Sequence, residues 1–192
     1  MLQLVFATQN AYKLKEIQQQ LGSAFELVSM SDINCTTDIE ETGETFAQNA
    51  QLKTNYLNTT YGLNCFGDDS GLCVETLNNA PGVHSARYAG EHKNDDDNMN
   101  KLLLALQNCS NRNAYFKTVI SLNYYNKNYL FEGEIHGKII TEKRGTNGFG
   151  YDPIFVPNGY NKTFAELEST TKNIISHRAI AFKKLIQFLQ QV

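Results

Sequence analysis

The opening of the chain constrains the fold most. A short apolar run, Leu2-Gln3-Leu4-Val5-Phe6, breaks at the polar Thr8-Gln9-Asn10, and Leu14, Ile17 and Leu21 then recur at helical spacing from about Ala11 to Leu21. A buried strand handing over to a helix, with a second apolar run from Phe25 to Met30, is the start of an α/β sheet core. The alternation continues. A strong helix is predicted from about Thr45 to Tyr61, ended by Gly62, and Leu72 to Leu77 reads as the returning strand of a hairpin. Asn78-Asn79-Ala80-Pro81-Gly82 is a turn by composition. A further helix from about Asp96 to Gln107 places Met99, Leu102, Leu103 and Leu106 on one face, and Asp95, Asp96 and Asp97 suit its N-terminal dipole. Two alternating segments, about Ala114 to Tyr124 and Tyr129 to Ile140, joined by Asn126-Lys127-Asn128, are predicted as long antiparallel strands. A glycine-rich stretch, an irregular segment and a final helix to about Gln190 close the chain. The expected class is α/β with a mixed sheet, in one domain over 1–192, with no repeat, low-complexity tract or linker.

Composition narrows the function. With 192 residues, 41% hydrophobic and 19% charged, the chain is an ordinary globular protein, long enough to bury a sizeable core as one domain or two small lobes. A net charge of -3 argues against a nucleic-acid partner, which a basic face would be needed to hold. A small anionic ligand is compatible with that charge where lysines gather locally or a metal assists. Cys35, Cys65, Cys73 and Cys109 have no metal-ligand spacing and read as reduced thiols packed as small hydrophobes. The N-terminus has no leader pattern and no run approaches a membrane span, so the expectation is a cytoplasmic protein with no membrane partner.

Five segments carry chemistry, each with a plainer alternative. Thr8-Gln9-Asn10-Ala11-Tyr12-Lys13 runs from strand end to helix start, where backbone N–H groups and the helix dipole favour an anion; the alternative is an ordinary turn with a solvated lysine. In the 45–61 helix, Lys53 falls in the middle of an apolar stripe of Phe46, Ala50 and Leu57, with Asn49 at its edge. An inward lysine is costly unless a carboxylate or phosphate pairs with it, and snorkelling to the surface is the alternative. Asp68-Asp69-Ser70-Gly71 offers either a carboxylate for a hard cation or an Asx-type turn; were the strand to continue, the two aspartates would face opposite sides. Gly145 to Pro153, with Phe149, Gly150, Tyr151 and Asp152, combines close backbone approach, rings that stack on a base and an acceptor for ring N–H groups, or is a hairpin loop with core aromatics. Ser176 is a reasonable N-cap for the last helix, where His177 and Arg178 either donate to a ligand or lie on the surface.

Taken in order, TQNAYK, EETGETFAQNAQLK, DDSGL, APGVHSARYAG, GFGYDPIF and SHR resemble the inosine triphosphate pyrophosphatases, from about Leu4 to Leu185. The resemblance implies two α/β lobes around an elongated mixed sheet flanked by helices, a central nucleotide cleft and a homodimer. It implies that Thr8 to Lys13 form the triphosphate loop, that Lys53 reaches the phosphates, and that Glu40 and Asp69 ligate Mg²⁺. Asp69 would also be the proton acceptor, with Ser70 touching substrate beside it. Phe149, Gly150, Tyr151, Asp152, Lys172, His177 and Arg178 would form the base pocket. The chain departs from the family pattern at Gln9 and Asn147, where glycine is usual, and at Gly67, often alanine.

The implied reaction is attack of water on the α-phosphorus of ITP, dITP or XTP, giving monophosphate and pyrophosphate. A 6-oxo purine would accept from His177, Arg178 or Lys172, whereas adenine's 6-amino group would leave those donors unpaired. Two rivals are a pyrophosphatase for pyrimidine or modified nucleotides on a related fold, and a non-catalytic nucleotide-binding protein. GFGYDP with SHR argues against the first, and Lys53, Asp69 and Glu40 together against the second.

Overall fold

In this computed structural model, residues 2–8, 13, 14, 17 and 25–191 are described. The elements run β1 (Leu2–Phe6), β2 (Phe25–Ser29), α1 (Phe46–Tyr61), β3 (Cys65–Val74), α2 (Asp95–Ala105), β4 (Asn113–Tyr124), β5 (Lys127–Ile139), β6 (Phe155–Pro157), α3 (Ser169–Ile175) and α4 (His177–Leu189). The strands form one sheet in the order β2-β1-β3-β4-β5-β6. It is mixed: β1 pairs in parallel with β2 and β3, and β5 pairs antiparallel with β6.

The chain divides into two compact units, one of Met1–Asp69, Thr118–Gly133 and Ala179–Val192, the other of Ser70–Lys117 and Glu134–Arg178. In the first, side chains of β1 alternate between two cores. Leu4 and Phe6 join Phe66, Ile120, Phe182 and Leu185, while Val5 and Ala7 join Met30, Leu57 and Cys65. A period of two with apolar residues on both faces is what a strand covered on both sides requires. Phe6 stacks on Phe66 at 4.5 Å. The second unit packs Leu72, Val74, Leu102, Phe116, Phe155 and Phe164 into its own core.

Local sequence explains α1. Thr45 and Gln48 make a capping box at its start, and Gly62, at a φ of 67°, ends it in the left-handed conformation. Phe46, Asn49, Ala50, Lys53, Thr54 and Leu57 form its buried face. Lys13, Leu14 and Ile17 are helical as expected; the other positions of the segment predicted as a helix over 11–21 lie outside the described residues.

Three expectations need correcting. Asp68-Asp69-Ser70-Gly71 is no hairpin turn: it lies inside the continuous strand β3, buried at every position but Ser70. β3 lies between β1, which pairs with it at Cys65 and Phe66, and β4, and its inclusion in a ten-residue sheet strand outweighs the turn preference of aspartate and glycine. The β4–β5 link is Tyr125-Asn126, not 126–128; both residues have positive φ, 46° and 61°, as a two-residue hairpin turn demands. The segment expected to be irregular contains β6 and α3, and Ser176, at φ -66° and ψ 153°, separates α3 from α4.

Candidate active site

In the first unit a set of charges gathers around α1 and the start of β3. Lys53, on the buried face of α1, is 8% exposed. Its Nζ lies 2.7 Å from Glu41 Oε1 and also donates to the Asp68 carbonyl oxygen. Burial alone would lower its pKa, but Glu41, Asp68 and Asp69 raise it above the ordinary lysine value. Burial pushes Glu41 the other way, and the charge and hydrogen bond of Lys53, with Lys13, hold its carboxyl below the usual range. Lys13 reaches both oxygens of the buried Asp68 carboxylate, at 3.0 and 2.9 Å.

Asp69 is 6% exposed, and its Oδ2 accepts from Asn49 Nδ2 at 3.0 Å. The Asn49 amide oxygen in turn accepts from Gly43 N at 2.7 Å, so one buried amide ties the acidic loop to Asp69. Burial pushes the Asp69 carboxyl up to about 6; Glu41 adds to this, while Lys53, Lys13 and the Asn49 bond oppose it. Its anion is therefore disfavoured in the protein alone and would be relieved by an added cation. Among the described residues no three His, Cys, Asp or Glu side chains converge as a metal cage. Magnesium, with its preference for oxygen, is commonly held by one or two carboxylates plus phosphates and water, so this donor set fits it.

In the second unit the loop 145–153 presents a different chemistry. Asp152 is 4% exposed; its Oδ2 accepts from Phe149 N at 3.0 Å and from Lys172 Nζ at 2.7 Å. Lys172 Nζ and Arg178 Cζ lie 4.9 and 5.7 Å from the centroid of the half-buried Phe149 ring. His177 stacks on Phe116 at 4.8 Å. Lys172, His177 and Arg178 are all buried, although two are cations. Tyr151 sits in the hydrophobic core, and its hydroxyl donates to the Ser85 carbonyl at 2.8 Å. It fixes the loop, and Phe149 is the ring left for stacking. Gly148 is required here: its φ is 81°, and a Cβ would fall 2.0 Å from Asp152 Oδ2.

Lys13, Lys53 and Asp69 thus gather in the first unit, and Phe149, Asp152, Lys172 and Arg178 in the second, with His177 and Gly150 nearby in sequence. Thr8 is half-buried after β1, and Ser70 follows Asp69 on β3. Gln9, Asn10, Ala11 and Tyr12 lie outside the described residues. Glu40 is exposed, while its neighbour Glu41 reaches Lys53. Sequence reasoning singled out Asn49 beside Lys53 and Asp68 beside Asp69 without giving either a place among the site residues, and it missed the roles of Glu41 and Phe116. Asn49 had a legible signal, a polar residue on the same helix face as Lys53; nothing in the Glu40-Glu41 string tells which carboxylate turns inward.

The first unit thus carries lysines paired with carboxylates, and the second carries cations around an aromatic ring, on one mixed α/β sheet. Residues 4–188 match the Ham1 family, and the chain belongs to it. It is 53% identical over 190 residues to the dITP/XTP pyrophosphatase of Christiangramia forsetii, covering 99% of this chain and 100% of that one. It is 54% identical over 188 residues to the enzyme of the same name from Flavobacterium johnsoniae, covering 98% of each. Among solved structures, the Ham1 protein of Staphylococcus aureus superposes with a TM-score of 0.92 at 39% identity, over 98% of each chain. A HAM1 protein from Coxiella burnetii does so at 0.93 and 40%, over the full length of both.

Proposed function

We propose that this chain is a nucleoside triphosphate pyrophosphatase that hydrolyses dITP, XTP and ITP to the monophosphate and pyrophosphate, removing deaminated purines from the nucleotide pool. The observation that carries the reading is the buried Lys53, held charged by Glu41 and the Asp68 carbonyl beside an Asp69 whose carboxyl is pushed up to about 6. A buried lysine beside a carboxyl that burial holds toward its neutral form supports a functional site, with positive charge to offer a phosphate and a carboxylate that a cation would relieve. The name shared by relatives at 43 to 54% identity points to the same chemistry.

Lys13 and Lys53 would bind the phosphate oxygens and neutralise charge that builds as the α-phosphorus is attacked. Asp69 would take a proton from the attacking water; the new bond is water oxygen to α-phosphorus, and the bond broken is that to the pyrophosphate leaving group. Mg²⁺, held by Asp69 and Glu40, would add charge neutralisation and make the water more acidic. Glu41 would keep Lys53 in place, and Ser70 would contact substrate beside Asp69. Thr8 and the segment Gln9, Asn10, Ala11 and Tyr12 would cradle the triphosphate. Phe149 would stack on the purine, and donors from Lys172, His177 and Arg178 would meet its 6-oxo group, where adenine offers only a donor. The homodimer and the cytoplasmic location belong to the same proposal; among the described residues no helix is long and apolar enough to cross a membrane.

A panel of nucleoside triphosphates with magnesium tests the reading. The expected order places dITP, XTP and ITP far above ATP and dTTP, with monophosphate as product and no turnover in EDTA. Preference for dTTP or UTP would overturn the substrate class, and tight binding without turnover would overturn the enzyme.

A further inference from the structure

We infer that Asp95 is a positioning residue for purine recognition, acting through Phe149. The inference rests on the proposed role of the 145–153 loop in reading the base. Asp95 Oδ2 accepts from Gly150 N at 2.7 Å. Asp152 Oδ2 accepts from the preceding N–H, that of Phe149, at 3.0 Å. The two peptide planes that flank the Phe149 Cα are thus held by two carboxylates, one from within the loop and one from the first turn of α2. Fixing both planes fixes the backbone torsions of Phe149 and hence the direction of the Cα–Cβ bond from which its ring projects. The same turn of α2 also grips the loop's approach: Lys143 Nζ bonds Asp96 Oδ1 at 2.5 Å and Asn100 Oδ1 at 2.7 Å.

Helix-dipole stabilisation would account for a carboxylate anywhere in this turn. The three aspartates are nevertheless not equivalent. Asp96 meets Lys143, Asp97 meets His92 at 2.9 Å, and Asp95 alone reaches the base loop. Gly150 stands at a φ of 62°, one of several backbone states that glycine reaches at no steric cost, and the Asp95 bond helps to select it.

The test compares steady-state constants for dITP among the wild type, Asp95→Ala, Asp95→Asn, Phe149→Ala and the Asp95→Ala/Phe149→Ala double variant, with melting temperatures alongside. Loss of one hydrogen bond to a charged acceptor should raise KM for Asp95→Ala about fivefold with kcat nearly unchanged. Asp95→Asn, whose amide oxygen still accepts, should restore KM. Phe149→Ala should raise KM further, and the double variant should be no worse than Phe149→Ala alone, because one residue acts through the other. An unchanged KM in Asp95→Ala beside a raised one in Phe149→Ala overturns the inference and leaves the loop's role standing. The same holds if the two effects multiply in the double variant. An unchanged KM in Phe149→Ala overturns both.

Discussion

Asp69 carries a charge that its own surroundings oppose, and that opposition is measurable. Its carboxyl is pushed up to about 6 from an ordinary 3.8, chiefly by burial. A raised acid pKa means that the folded state holds its proton more tightly than the unfolded chain. The stabilising contribution is complete below about pH 4 and is lost as pH rises through about 6, amounting to about 3 kcal/mol. Asp69→Asn should therefore be more stable than the wild type at pH 8 by an amount of that order, with the difference vanishing near pH 4, while turnover is almost abolished; denaturant unfolding at the two pH values checks it. Asn49→Leu should act in the opposite sense. It removes the Asn49 bonds to Gly43 N and to Asp69 Oδ2, costing about 1–3 kcal/mol, and the second of these bonds lowers the Asp69 pKa. The melting temperature should drop and the acid limb of the rate profile should move to higher pH. At this scale the sequence was informative where a side chain broke a pattern. Lys53 interrupts an apolar stripe and could be found; Glu41 is one of two adjacent glutamates in a loop of no period, and only the fold distinguishes them.

Elements with long periods were legible, and short ones were not. The cap, stripe and glycine stop of α1 are all local, so its limits could be read to within a residue. β3 could not be read that way, because its Asp-Asp-Ser-Gly string favours a turn locally and only its place within a long sheet strand overrides it. β6, with three residues, and α3, with seven, are too brief to show any period. The glycine-rich loop is set by contacts that a sequence does not display. Gly148→Ala should force a methyl group onto Asp152 at a backbone angle that alanine resists, costing about 1–3 kcal/mol. Since Asp152 also holds Lys172 and Phe149 N, KM for dITP should rise more than kcat falls in that variant. Equal loss in both constants would show that the loop does not read the base.

On the scale of the whole molecule, each unit carries its own grouping: lysines and carboxylates in the first, cations around an aromatic ring in the second, and under the proposed function these would meet phosphates and an oxo purine. A net charge of -3 does not stand against polyanion binding, because Lys53 and the part-buried Lys13 gather locally. Family membership was readable from six strings in fixed order, and the full-length match to Ham1 proteins agrees with it. The most direct test of the central claim is hydrolysis of dITP with magnesium in heavy-oxygen water, followed by mass analysis of both products. Attack at the α-phosphorus predicts label in dIMP and none in pyrophosphate. Label in pyrophosphate, release of a diphosphate, or intact dITP would contradict the account.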